Sequence, residues 1–383
     1  MVVATVAIAF TGSAHTASAA SSSTNWPQEG FNAQHTNYNA TETTLTRSNV
    51  RNLTHVFATP LQDVGPDPIE ANGAVYLSAS GGGDIESING TTGAVNWTTN
   101  ACTQGQGTSI PAFAANKIWV GLNDPGTGAV NTSGATVSCI EFGDYFPTPP
   151  TVSHGIVFAS GMDGVVVAIN ASTGSVLWQT CLLCTQSGGP FLYSPAVSVD
   201  GKWLFIAGND VNGGGAVYKV NATTGALSWS RYMDTCGTSA VAISGSSLIV
   251  NGCNLYSLSA ATGAMIWHTN HFGPSISSPS VTSGLVFASA GGRMDAFKAT
   301  NGKMLWSYAY SLTVAPTLAN GVVYVNDSSD LAMVNSATGT QVGQILAPTG
   351  AGFTGSVVVV NGYVYVCAID GSTGAVALEA YRP

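Results

Sequence analysis

The nine residues NASTGSVLW, from Asn170 to Trp178, recur with small changes along the 383-residue chain. Copies read NGTTGAVNW ending at Trp97, NATTGALSW at Trp229, SAATGAMIW at Trp267 and KATNGKMLW at Trp306. Two weaker copies, NTSGATVS and NSATGTQVG, carry Ser138 and Gly343 where the tryptophan would stand. The glycines of the phrase, Gly93, Gly134, Gly174, Gly225, Gly263, Gly302 and Gly339, lie 41, 40, 51, 38, 39 and 37 residues apart, averaging 41. A period in that range is that of a propeller blade of four strands.

Within a unit the pattern alternates with period two and is punctuated by turn residues, as in TPPTVSHGIVFASGMDGVVVAINASTGSVLW, residues 148–178. It reads as four short antiparallel strands, with a turn at Ser153-His154-Gly155, a hairpin at Met162-Asp163-Gly164 and a Thr173-Gly174 turn into the outer strand. The outer-strand tryptophans are read as core that fills the widening wedge between blades, and the glycines as the turn that precedes them.

Seven complete units leave two loose ends. SVVVVNG, YVYVCAI and GAVALEAYRP form three strands at the carboxy terminus, and LTHVFAT, from Leu53 to Thr59, is an outer strand without a blade, with Phe57 at the tryptophan position. Pairing that strand with the final three predicts an all-β, eight-bladed propeller of four-stranded antiparallel blades, closed into a ring so that no blade is left incomplete. The expected domains are a signal peptide at 1–20, a lead-in segment at 21–52 and a single propeller at 53–383.

Ten Lys and Arg against 19 Asp and Glu give a net charge of -9. Basic residues stand singly, which excludes nucleic acid as a partner. The apolar start VVATVAIAF and the small residues Ala17 and Ala19 read as a secretory signal, although no Lys or Arg precedes Arg47. No later stretch is long and apolar enough to span a membrane. Export makes the seven cysteines disulfide candidates with one left over. Antiparallel pairing about Gly245 sets residues opposite when their numbers sum to about 489–490, which joins Cys236 to Cys253. Cys102 and Cys139 follow outer strands of consecutive units and pair across blades, Cys181 and Cys184 pair locally, and Cys367 is the odd, buried thiol.

The phrase resembles the pyrroloquinoline-quinone (PQQ) type propeller repeat of quinoprotein dehydrogenases and of the outer-membrane assembly lipoprotein family. The opening NWPQEGFNAQHTNYNATETTLTRSNVRNLTHVF is similar to the lead-in of those quinoproteins. The dehydrogenases imply a cofactor stacked on adjacent cysteines, beside a calcium or lanthanide ion held by Glu, Asn and Asp. No Cys-Cys pair exists here, Cys181 and Cys184 being separated by two leucines, and few cations are present to meet the cofactor's carboxylates.

Other signals read as structure. Asp84, Asp124, Asp163, Asp210, Asp327, Asp330 and Asp370 belong to hairpins, His268 and His271 to a surface loop, and GAGFTG at 350–355 precedes a strand instead of opening a helix. The sequence therefore points to a secreted, monomeric binding or scaffolding propeller. Its protein or glycan partner is expected at a loop face or the central funnel, with no cofactor, no metal site and no catalytic residue assigned. The alternative is a PQQ-dependent oxidoreductase of alcohol or sugar dehydrogenase type, with PQQ and Ca²⁺.

Overall fold

The computed structural model describes residues 25–62, 67–78, 84–102, 109–123, 126–142, 148–161, 164–183, 191–209, 214–269, 277–310, 314–327 and 329–383. The segment read as a signal peptide, and Cys184, Asp124, Asp163, Asp210 and His271, lie outside them. Strands of two to ten residues form eight sheets, antiparallel within each blade, with the short strand Tyr38–Asn39 added parallel to the innermost strand of one; among the described residues the one helical segment is a 3₁₀ turn at Val50–Asn52. Blades 1 to 7 span 69–100, 112–141, 151–181, 191–232, 242–268, 280–309 and 317–346, each running from an innermost to an outermost strand.

Blade 8 closes the ring as expected. Its first three strands are Ala351–Val360, Tyr363–Asp370 and Val376–Arg382, and its outermost is the amino-terminal Thr54–Leu61, paired antiparallel from Thr54 opposite Arg382 to Leu61 opposite Val376.

Sequence chemistry explains the turn in each phrase. The Asn170 side-chain oxygen accepts the N–H groups of Ser172 and Thr173, and Gly174 donates back to the Asn170 carbonyl. The phrase glycines have φ between 66° and 86°. At Gly302 a second reason applies, since an added Cβ would come within 2.5 Å of the Trp267 ring of the preceding blade. The same stacking places Trp97 on Gly134, Trp178 on Gly225, Trp229 on Gly263 and Trp306 on Gly339, with Phe57 on Gly93. Each indole N–H donates to a carbonyl of the next blade's phrase, as from Trp178 to Ala222 and from Trp267 to Ala299, both at 2.9 Å. The rings thus bridge neighbouring blades instead of sinking between them. Trp267 is buried, whereas Trp97, Trp178, Trp229 and Trp306 keep one edge open to solvent.

Across each blade a ladder of three residues in register includes the phrase position. In seven blades the second strand supplies an aromatic residue and in blade 5 Ile249, and in six blades the third strand supplies a small one, as in Tyr76, Ser87 and Trp97 or Phe158, Ala168 and Trp178.

Cys236 and Cys253 are joined, with Cα atoms 5.1 Å apart. The hairpin register differs from the one read in the sequence, because paired residue numbers sum to 491 and the ladder starts only at Ala242. The bridge therefore ties two loops beyond the strands, where the Asp234 carboxylate accepts the N–H groups of both cysteines. Cys102 is joined to Cys139. Cys139 lies inside the outer strand Thr136–Glu141, not in the loop after it, so the link runs from a loop of blade 1 to a strand of blade 2. Cys181 is disulfide-bonded, and Cys367 is a buried thiol whose pKa burial pushes up.

Candidate functional site

Residues 26–39 lack any period, and the structure shows why. They meet the innermost strands of all eight blades in turn. Trp26 exchanges both backbone bonds with Glu70 of blade 1, and the Pro27 carbonyl accepts from Phe113 of blade 2. The Gln28 side chain accepts from Val152 of blade 3, and Ala33 from Val197 of blade 4. Gln34, Thr36 and Asn37 then accept from Ile243, Val281 and Leu318 of blades 5, 6 and 7. Asn39 ends the circuit by donating to the Val359 carbonyl of blade 8, 2.9 Å away. Following the ring needs tight bends, and Gly30, Phe31, His35 and Asn37 all have φ between 50° and 74°. The lead-in is thus a hoop around the axis at the rim of the central funnel, one of the two places, with the loop faces, where the sequence leads one to expect a partner.

The hoop carries chemistry inward. Glu29 accepts from the Ser194 hydroxyl of blade 4 at 2.6 Å, while the Asp67 carboxylate accepts the N–H of Ser356 in blade 8. Blades 4 and 8 stand opposite each other in an eight-membered ring, so the two acids, which repel each other electrostatically, face the axis. Desolvation pushes Glu29 up to about 7, against the lowering effect of the Ser194 bond, and burial raises Asp67 as well. His35, buried with its Nε2 against the Thr151 hydroxyl at 2.9 Å, is held down at about 4 by desolvation. None of the ten Lys and Arg lies on an innermost strand.

Glu70 offers a clean pH test. Burial raises its carboxyl from 4.5 to about 7, although the Gly73 N–H bond opposes the rise. A raised folded value means that the native state holds the proton more tightly than the unfolded chain. Glu70's contribution is therefore fully favourable below pH 4.5 and is lost as pH climbs through 7. Glu70→Gln should gain melting temperature relative to the parent as pH rises across that window and level off above it. His35 and Glu29 titrate in both proteins and cancel in the difference. A difference that does not move with pH would show that Glu70 is already ionised in the fold.

The sequence-derived positions fall elsewhere. Phrase residues lie at the perimeter, Asp370 orders its own turn through Ser372 and Thr373, and Asp330 accepts from Gln344. Asp234, Cys236 and Cys253 approach one another, but both sulfurs are spent in their mutual bond. Glu29 and His35 lie in a lead-in without a repeat, and Asp67 and Glu70 precede or enter the first blade before its phrase begins, so no periodic signal marks any of the four; the four Asn residues of 25–39 are the visible sign of tight bends.

A family model described as "Outer membrane protein assembly factor BamB" matches residues 36–210, 127–252 and 213–382. The outer membrane protein assembly factor BamB of Yersinia pestis is 25% identical over 266 residues, covering 62% of this chain and 65% of that protein. Its counterpart from Moranella endobia is 25% identical over 282 residues, covering 70% and 60%. The chain thus matches less than two thirds of either relative's length. Among solved structures, quinohemoprotein alcohol dehydrogenase from Comamonas testosteroni superposes with a TM-score of 0.75 at 16% identity, covering 94% of this chain and 80% of that one. BamB from Moraxella catarrhalis gives 0.64 at 17% identity, covering 86% and 100%. Likeness at such identities shows the shared propeller fold.

Proposed function

We propose that this chain, which belongs to the family described as outer membrane protein assembly factor BamB, is a monomeric binding and scaffolding propeller that works outside the cytoplasm and holds a protein partner. The observation that carries this reading is the perimeter. Among the described residues, twelve of the thirteen exposed large hydrophobic side chains lie on outermost strands, and every blade supplies at least one. Val95, Val176, Leu227, Ile266, Leu305 and Leu346 are examples. An outer strand offers a free row of backbone donors and acceptors, and exposed aliphatic groups beside it suit an extended segment of another polypeptide adding to the edge. The two described disulfides fit an oxidising compartment.

The quinone alternative fits the axis poorly. Its three carboxylates need cations, whereas the axial groups are Glu29 and Asp67. No reaction step is assigned through that cofactor.

A photo-activated cross-linker at Leu227 or Leu305, in the envelope of the producing cell, should yield protein adducts, and Met304→Lys should remove those formed from Leu305 on the same strand. Silence at all eight outer strands would overturn the perimeter reading, and glycan binding in its place would move the partner to sugars. Incubation with PQQ and Ca²⁺ should leave no quinone absorbance after gel filtration. Retained quinone with dye reduction by an alcohol or sugar would instead establish the enzyme.

A further inference from the structure

The cross-blade ladder takes in a charged residue at one place. Opposite the phrase position, the third strands carry Ser87, Ala129, Ala168, Ser257, Ala296, Met333 and Ala380, but blade 4 carries Lys219, between Phe205 and Trp229. A lysine only 8% exposed is unusual in any fold, and here it enters a position that seven other blades fill with a small or apolar residue. Its ammonium lies 4.1 Å from the centre of the Trp203 ring and donates weakly, at 3.4 Å, to the Ala261 carbonyl of blade 5.

Lys219 does not end in packed core. It lines an open cleft of about 430 Å³ between blades 4 and 5, walled by Val199, Trp203, Phe205, Ile243 and Gly245. A second hollow of about 260 Å³ shares Val199, Ile243 and Gly245 and runs on to Thr36 and Tyr38 of the hoop. Val199 at the shared wall is 75% exposed and, among the described residues, is the one exposed large hydrophobic side chain outside the perimeter strands. The cleft also holds Asp200, which pairs with Lys202 at 3.4 Å, accepts from the Ser198 hydroxyl at 2.7 Å and attracts Lys219 electrostatically without a hydrogen bond to it. Lys202 does not line the cleft but pairs with Asp200 at its edge, so Lys219 and Lys202 together outweigh that one carboxylate on a chain of net charge -9. An ammonium with one long hydrogen bond retains donors for an anion, and the aromatic and aliphatic walls beside it weaken the screening of such a pair relative to bulk water.

We propose that the cleft between blades 4 and 5 binds a carboxylate attached to an apolar body, with Lys219 receiving the carboxylate and Trp203 covering the body. Two sources share that chemistry, a small organic acid and the carboxy-terminal residue of a polypeptide lying along the second hollow. The site is independent of the perimeter strands.

Calorimetric titration of the full chain with N-acetyl-phenylalanine and with its amide tests the idea. The acid should bind saturably and the amide about tenfold or more weakly, the difference expected for a charge-assisted bond. Lys219→Met should abolish the preference and still fold, since blade 7 carries Met333 at the same register. A hexapeptide ending in free phenylalanine separates the sources: tighter binding than the single residue assigns the site to chain ends, and equal binding assigns it to small acids. No saturable binding of either acid, or equal affinity for acid and amide in the parent protein, would overturn the proposal without any reference to a variant's folding.

Discussion

A chain ended at Asp370 should aggregate or lose its cooperative unfolding transition. The deletion removes Val376–Arg382, which is the third strand of blade 8 and is sandwiched between Tyr363–Asp370 and the amino-terminal Thr54–Leu61. Both neighbours would lose a ladder at once, leaving two open edges in a ring that otherwise hides its inner ones. Leu378 and Ala380 are fully buried and Val376 nearly so. Burial of Val376 and Leu378 alone contributes roughly 3–6 kcal/mol, a large part of the about 5–15 kcal/mol that a typical domain holds in total. Removing only Pro383, which lies beyond the paired residues, is the control. Sedimentation and a melting curve decide the matter, because a truncated protein that stays monomeric with the parent's transition would mean that the ends of the chain do not carry closure.

That the eighth blade was visible in sequence, while the hoop and the lysine were not, follows from how each is encoded. Blades repeat, so NASTGSVLW and its copies announce the turn, the outer strand and the spacing together, and Phe57 reveals its role by standing where a tryptophan would. The disulfide between Cys236 and Cys253 was legible from spacing, but the register drawn for it was not, since the cysteines lie outside the ladder that begins at Ala242. Trp229 reads as core by its size, yet its ring bridges to Gly263 and Ala261 of the next blade with an edge in solvent. Lys219 hides in a strand of ordinary alternation, and only aligning the ladders of all eight blades exposes it as the exception. The hoop has no period because each of its residues answers to a different blade.

Deleting residues 25–39 should destabilise the propeller nearly as severely as opening it. Each blade would lose at least one hydrogen bond from the hoop, from Glu70 in blade 1 through Leu318 in blade 7 to Val359 in blade 8. At about 1 kcal/mol net per bond, with Trp26 adding roughly 3–5 kcal/mol as a large buried side chain, the loss approaches the whole stability of an ordinary domain. The effect is also cooperative in a way that a single core substitution is not. One continuous segment ties non-adjacent blades, so its removal loosens relations across the ring that neighbouring blades alone do not set. A synthetic peptide of residues 25–39 supplies the decisive comparison. Added to the deleted protein, it should restore the melting temperature in a saturable way, whereas a peptide with Trp26 replaced by Ala should restore much less. If the deleted protein melts like the parent, the hoop is a passenger of a ring that is complete without it, and the axial acids would owe their burial to the blades alone.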